Sequence, residues 1–229
     1  MTESEQPAAG WRRFVPWDGP AGRGDLAVLG AILAVVAFGL ALRPVKPFLI
    51  ASQPVLLAFL TGDLTAVGAA AAFARIGEAD LWLVVVAGAF GMVKFDWLTW
   101  WTGRRWGLGI IKMFTTSERA VRFAGRAKDL KPWTLRAAVL LAALPGVPTA
   151  VVYAMAGWAG MRLLTFLTLD LVGAAVITTL LAAIGYKAGQ DAVDLVLLID
   201  KYATAASLTL LATAALLPLL KRLLNRRTR

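Results

Sequence analysis

Residues 140–157 read Leu-Leu-Ala-Ala-Leu-Pro-Gly-Val-Pro-Thr-Ala-Val-Val-Tyr-Ala-Met-Ala-Gly. The run is apolar enough for a bilayer, yet Pro145, Gly146 and Pro148 interrupt its middle. Proline removes a backbone donor and clashes with the preceding turn, so one straight helix is not expected. Two half-helices joined by extended backbone are. Backbone freed in this way is tolerated at membrane depth only where it is packed inside protein or lines a wet cavity. The stretch therefore reads as a re-entrant hairpin at a functional site, with a proline-kinked spanning helix as the alternative.

The whole chain supports a membrane setting. Of its 229 residues, 59% are hydrophobic and the mean hydropathy is +0.70, against about half apolar in an ordinary soluble domain. The first apolar run follows a segment carrying Glu3, Glu5 and Asp18 beside Arg12, Arg13 and Arg23. That is unlike a cleavable signal, so the run is expected to stay as an anchor. The absence of cysteine excludes disulfides and thiolate metal sites. The absence of histidine removes the imidazole that many membrane phosphatases, zinc proteases and serine hydrolases need. An enzyme is not expected, and neither is a cofactor. The formal charge of +10 suits topology and anionic headgroups in so apolar a chain, and no nucleic-acid partner is expected.

In order, residues 1–25 form a polar arm with Trp11, Phe14 and Trp17 among arginines, suited to the headgroup level. A first spanning helix covers 26–42 and stops at Arg43-Pro44. Residues 47–73 are apolar but punctuated by Pro54, Gly62 and Asp63, so a second broken hairpin is expected. A spanning helix over 81–102 precedes a loop, 103–136, holding nine basic residues against Glu118 and Asp129. The opening hairpin comes next, then spanning helices over 163–186 and 202–220, and a basic tail over 221–229. One membrane domain, 26–220, is expected. A hairpin-plus-helix unit occurs twice, on opposite sides of the basic loop, which predicts an inverted repeat. The fold class is thus an all-α membrane protein, with spanning helices plus two re-entrant broken-helix hairpins. Placing both termini, the basic loop and Arg162 in the cytoplasm and Lys94 in the membrane leaves only Arg43, Lys46, Arg75, Lys187 and Lys201 outside, a strong positive-inside signal.

Asp63, Lys94, Asp96 and Asp170 are the ionisable residues expected at membrane depth. A charge there is disfavoured by about 2.5–3.5 kcal/mol on insertion scales, so each is a transport-path candidate together with Pro145, Gly146 and Pro148. Pairing of Lys94 with Asp63 or Asp170 is the structural alternative. Arg104 and Arg105, at a helix end beside Trp106, are candidates for headgroup contact, with simple anchoring as the alternative. Gly62, Gly157, Gly185 and Gly189 are small enough for close hairpin and helix packing.

These motifs, in this order over 47–190, resemble the DedA family, also called the VTT or SNARE-associated Golgi protein family. The similar pieces are Phe59-Leu60-Thr61-Gly62-Asp63; Asp96, Trp100 and Gly103-Arg104; and Leu144-Pro145-Gly146-Val147-Pro148. Ala156-Gly157, Met161, Phe166, Asp170, Gly173 and Gly185-Tyr186-Lys187-Ala188-Gly189 follow them. The resemblance implies two facing re-entrant hairpins in a bacterial plasma membrane protein that moves lipid between leaflets. Implied cargoes are phospholipids with anionic or zwitterionic headgroups, or polyprenyl-phosphate-type lipids. A homo-oligomer is left open. The family's bacterial signature has an acid in the first hairpin where this chain has Ala51-Ser52-Gln53, and arginines where it has Ala142 and Pro148. Passive or weakly coupled movement, with Asp63 as a fixed polar group, is therefore expected. A small-solute or ion transporter of the same architecture and a non-transporting scaffold are the rival readings.

Overall fold

Every regular element described in the computed structural model is helical, and the described residues are 21–114, 121, 122, 125, 130–144, 146–191 and 194. Most of the expected N-terminal arm, Pro145, the middle of the basic loop, the expected helix 202–220 and the basic tail lie outside them. Ten helices are used below: α1 (Arg23–Leu42), α2 (Lys46–Ser52), α3 (Pro54–Thr61), α4 (Leu64–Arg75), α5 (Leu81–Val93), α6 (Asp96–Trp106), α7 (Leu108–Phe114), α8 (Pro132–Leu141), α9 (Thr149–Trp158) and α10 (Leu163–Asp191). Among the described residues, three stretches are long and apolar enough to cross a membrane: α1, α5 with α6 (Leu81–Trp106), and α10. The protein is an all-α, multi-pass membrane protein.

Packing divides the chain into two compact units. The first comprises the described parts of Met1–Phe38 and Met92–Ile177. Its core gathers Val28 of α1, Leu98 and Trp106 of α6, Ile110 and Ile111 of α7, Leu135 of α8, and Val151, Ala154 and Met155 of α9. The tightest packing is between α6 and α9. A Cβ on Gly103 would stand 1.9 Å from the Ala154 carbonyl oxygen, and one on Gly157 would stand 1.9 Å from that of Trp100. Only glycine lets these two backbones touch, as expected between helices that associate in lipid. Asp25 pins the start of α1 to this core, accepting from the Trp106 indole at 2.8 Å and from the Arg105 guanidinium.

The second unit comprises the described parts of Gly39–Gly91 and Thr178–Arg229. Its core is alanine-rich: Leu57 and Ala58 of α3, Ala66, Val67, Ala70 and Ala71 of α4, Val84 of α5 and Ala182 of α10. A Cβ on Gly185 would lie 2.3 Å from the Gly68 carbonyl oxygen, so here too small residues set the spacing.

Three details differ from the sequence expectations. The segment 47–73 is in three pieces, because Gln53 as well as Gly62-Asp63 interrupts it. Pro54 starts α3 at the position where its missing N–H is harmless. The helix expected to end at 102 runs to Trp106, where Gly107 at φ 56° stops it, and it is disturbed at Lys94-Phe95. There the Trp97 indole donates to the Lys94 carbonyl at 3.1 Å, a side chain entering the helical ladder. Finally, the described part of the 140–157 break is mostly tight turns, not extended backbone. Ala142 N–H donates to Val139, Leu144 to Leu141 and Val147 to Leu144, so carbonyls that apolar surroundings would leave bare are used.

The outer face of α10 carries Leu164, Val172, Val176, Leu180 and Ile184, all exposed and mostly four residues apart, while Phe166, Asp170, Gly173, Thr178 and Gly185 are buried. Apart from Phe166, the buried residues of this set are small or polar and the exposed ones large and apolar, an arrangement that suits a lipid solvent.

Candidate functional site

In the first unit, Asp170 of α10 is buried, 1% exposed, inside an apolar shell. Tyr153 of α9 donates its hydroxyl to Asp170 Oδ1. Asp96, in the first turn of α6, is the neighbouring carboxyl. Phe166 closes one side, edge-on to Tyr153 at 5.0 Å and stacked with Trp100 at 6.4 Å between centroids. Asp170 Oδ2 and the Trp100 indole nitrogen are buried with no hydrogen-bond partner among the described residues. Two carboxyls side by side away from bulk water cannot both carry charge cheaply. Three helices thus converge on one polar centre, and the close α6–α9 crossing through Gly103 and Gly157 brings Asp96 and Tyr153 to it.

In the second unit, Asp63 caps α4. Its Oδ1 accepts from Thr65 N–H at 3.1 Å and from the Thr65 hydroxyl at 2.9 Å, and its Oδ2 takes an ion pair from Lys46. Its own N–H donates to the Thr61 hydroxyl at 3.2 Å, and Gly62 at φ 64° ends α3 in the left-handed conformation that glycine adopts freely. Asp63 is therefore held from several directions at a helix start, where its charge also complements the helix dipole.

A profile of the VTT domain matches residues 60–187, more than half of the chain. The chain belongs to the VTT domain family. This is the family, also known as DedA, that the motifs resemble. The comparisons with curated proteins and with solved structures returned no match. The VTT match encloses Asp63, Asp96, Tyr153 and Asp170, whereas Lys46 and Asp25 lie before it.

Within this VTT protein, the candidates are distributed as follows. Asp96 and Asp170 come together; Asp63 belongs to the other unit, with Lys46. Lys94 sits half-buried at the disturbed turn before α6. Gly146, at φ 90°, and Pro148 are exposed in the break, and the Thr149 hydroxyl donates to the Ala142 carbonyl at 2.9 Å, tying α9 to the end of α8. Pro145 lies outside the described residues. Arg105 is engaged by Asp25, and exposed Arg104 lies over the Trp100 ring, 5.3 Å from its centroid. Gly189 packs against the Arg75 side chain.

Tyr153 and Lys46 were missing from the sequence candidates. Tyr153 had a readable signal: it is a hydroxyl in an otherwise apolar helix, and a buried tyrosine usually finds a partner for its O–H. Lys46 had none, since nothing in the sequence ties it to a carboxylate seventeen residues on.

Proposed function

We propose that this protein moves lipid between the leaflets of a bacterial plasma membrane, as a flippase or scramblase, with both termini and the basic loop in the cytoplasm. The observation that carries the reading is the shortness of the paired helices. α3, α4, α8 and α9 have 8, 12, 10 and 10 residues, about 12–18 Å at 1.5 Å per residue, against a hydrocarbon core of about 30 Å. Helices of this length, joined by turns, suit re-entrant hairpins, and re-entrant backbone at membrane depth belongs beside a polar path. Headgroups would follow the polar groups of the two units while acyl chains stay in lipid. Cargo would be phospholipid or polyprenyl-phosphate-type lipid, transported and not chemically altered.

Asp63, tied down by Lys46 and Thr65, suits a fixed polar group better than a proton carrier, which supports passive or weakly coupled movement. A second reading, transport of a small ion or solute, is favoured by one observation: Asp96 neighbours Asp170, which is itself buried. Proteoliposomes holding the purified protein separate the two readings. Leaflet exchange of several labelled phospholipids, with and without a pH gradient, supports the first. Uptake of ions or small solutes without lipid exchange supports the second.

A further inference from the structure

Arg136 of α8 and Arg162, just before α10, line one cavity of about 400 Å³ in the first unit, together with Pro132, Leu135, Met161 and Thr165. This volume lies within the range of about 300–1,000 Å³ common for small-ligand pockets. Neither arginine pairs with a carboxylate among the described residues, where the ion pairs are Lys46–Asp63 and Arg105–Asp25. The cavity is therefore cationic. It also lies at two helix starts. Pro132 opens α8, and Arg162 to Thr165 lead into α10, whose first-turn N–H groups have no acceptor one turn back. Guanidinium forks and free first-turn N–H groups are both suited to the tetrahedral oxygens of phosphate.

The surroundings point to the source of that phosphate. α10 is long and apolar enough to span the membrane, which would set its first residues at headgroup level. Beside the cavity, Trp133 is 66% exposed and Leu164 is 75% exposed. An indole at the interface and a leucine turned outward are what lipid chains meet at a membrane boundary. Leu135 and Met161 give the cavity an apolar wall.

We propose that the Arg136–Arg162 cavity is a binding site for the phosphate of an anionic membrane lipid. Its lining includes neither the residues of the break before α9 nor Asp96, Tyr153 or Asp170. The inference rests on the membrane setting of the chain and not on transport.

The test uses the full-length protein in neutral detergent, with binding of short-chain phosphatidic acid, short-chain phosphatidylcholine and inorganic phosphate measured by calorimetry. Saturable binding of phosphatidic acid is expected, with weaker binding of phosphatidylcholine. R136Q/R162Q should lower the affinity for phosphatidic acid at least tenfold. R136K/R162K, which keeps the charge but loses the fork, should fall between the two. R43Q, at an exposed arginine outside the cavity, should bind as the wild type does, and thermal unfolding of each variant confirms that it is folded. Equal binding by R136Q/R162Q and wild type overturns the proposal. Inorganic phosphate competing as well as the lipid overturns the lipid assignment. Leaflet exchange on the same preparations keeps the claims apart: exchange without saturable binding removes the cavity site alone, and binding without exchange removes the transport reading alone.

Discussion

Asp63 and Asp170 are both acids in an apolar chain, but their surroundings give them different work. Asp63 is half-buried, caps α4 and is ion-paired, and an asparagine there would still accept from the Thr65 N–H. D63N should therefore keep most leaflet exchange. D63L removes the cap, at about 1 kcal/mol, and the polar group, and should lose exchange. Equal inactivity of the two, together with a response of the wild type to a pH gradient, would make Asp63 a proton carrier. Asp170 depends on Tyr153 for its described hydrogen bond. Y153F leaves a buried carboxyl oxygen without its donor and should lower stability by about 1–3 kcal/mol, read as a fall in the detergent unfolding temperature. An unchanged unfolding temperature would show that the hydroxyl does not support the acid pair. Asp63, Lys94, Asp96 and Asp170 stand out in the sequence because charge is rare in apolar runs. Their partners do not, since Lys46–Asp63 and Tyr153–Asp170 depend on which helices pack together.

At the scale of elements, the breaks were readable from proline and glycine, whose backbone limits are local. The extra break at Gln53 and the turn at Lys94-Phe95 were less so. The first follows from Pro54 starting a new helix, and the second is supported by the Trp97 indole on the Lys94 carbonyl. Helix contact glycines were legible only as small residues; the structure separates those that matter. G157A puts a methyl 1.9 Å from the Trp100 carbonyl oxygen, and the backbones of α6 and α9 must part. A loss of about 1–3 kcal/mol is expected, as for other overpacked contacts. Gly30 on α1 has open space around its missing Cβ, so G30A should leave the unfolding temperature unchanged or raise it slightly through better helix propensity. Equal effects of G157A and G30A in thermal unfolding would contradict the α6–α9 crossing. The acid pair would then lose the contact that assembles it.

For the whole molecule, the positive-inside pattern predicts a topology, and the cysteine-free sequence makes it easy to test. With single cysteines introduced, an impermeant thiol reagent applied to intact cells should label position 191 and spare position 126. The reverse pattern would invert the membrane orientation and, with it, the face from which each hairpin enters. The central claim is lipid movement along interrupted helices, and the most direct measurement of it is dithionite quenching of fluorescent phospholipid in proteoliposomes. Wild-type protein should expose the inner-leaflet probe to quenching, while P145A/P148A, folded but free to form continuous helix between α8 and α9, should leave the inner leaflet protected. Protection of the inner leaflet in wild-type proteoliposomes would contradict lipid transport. Equal quenching by the two proteins would contradict the role given to the break.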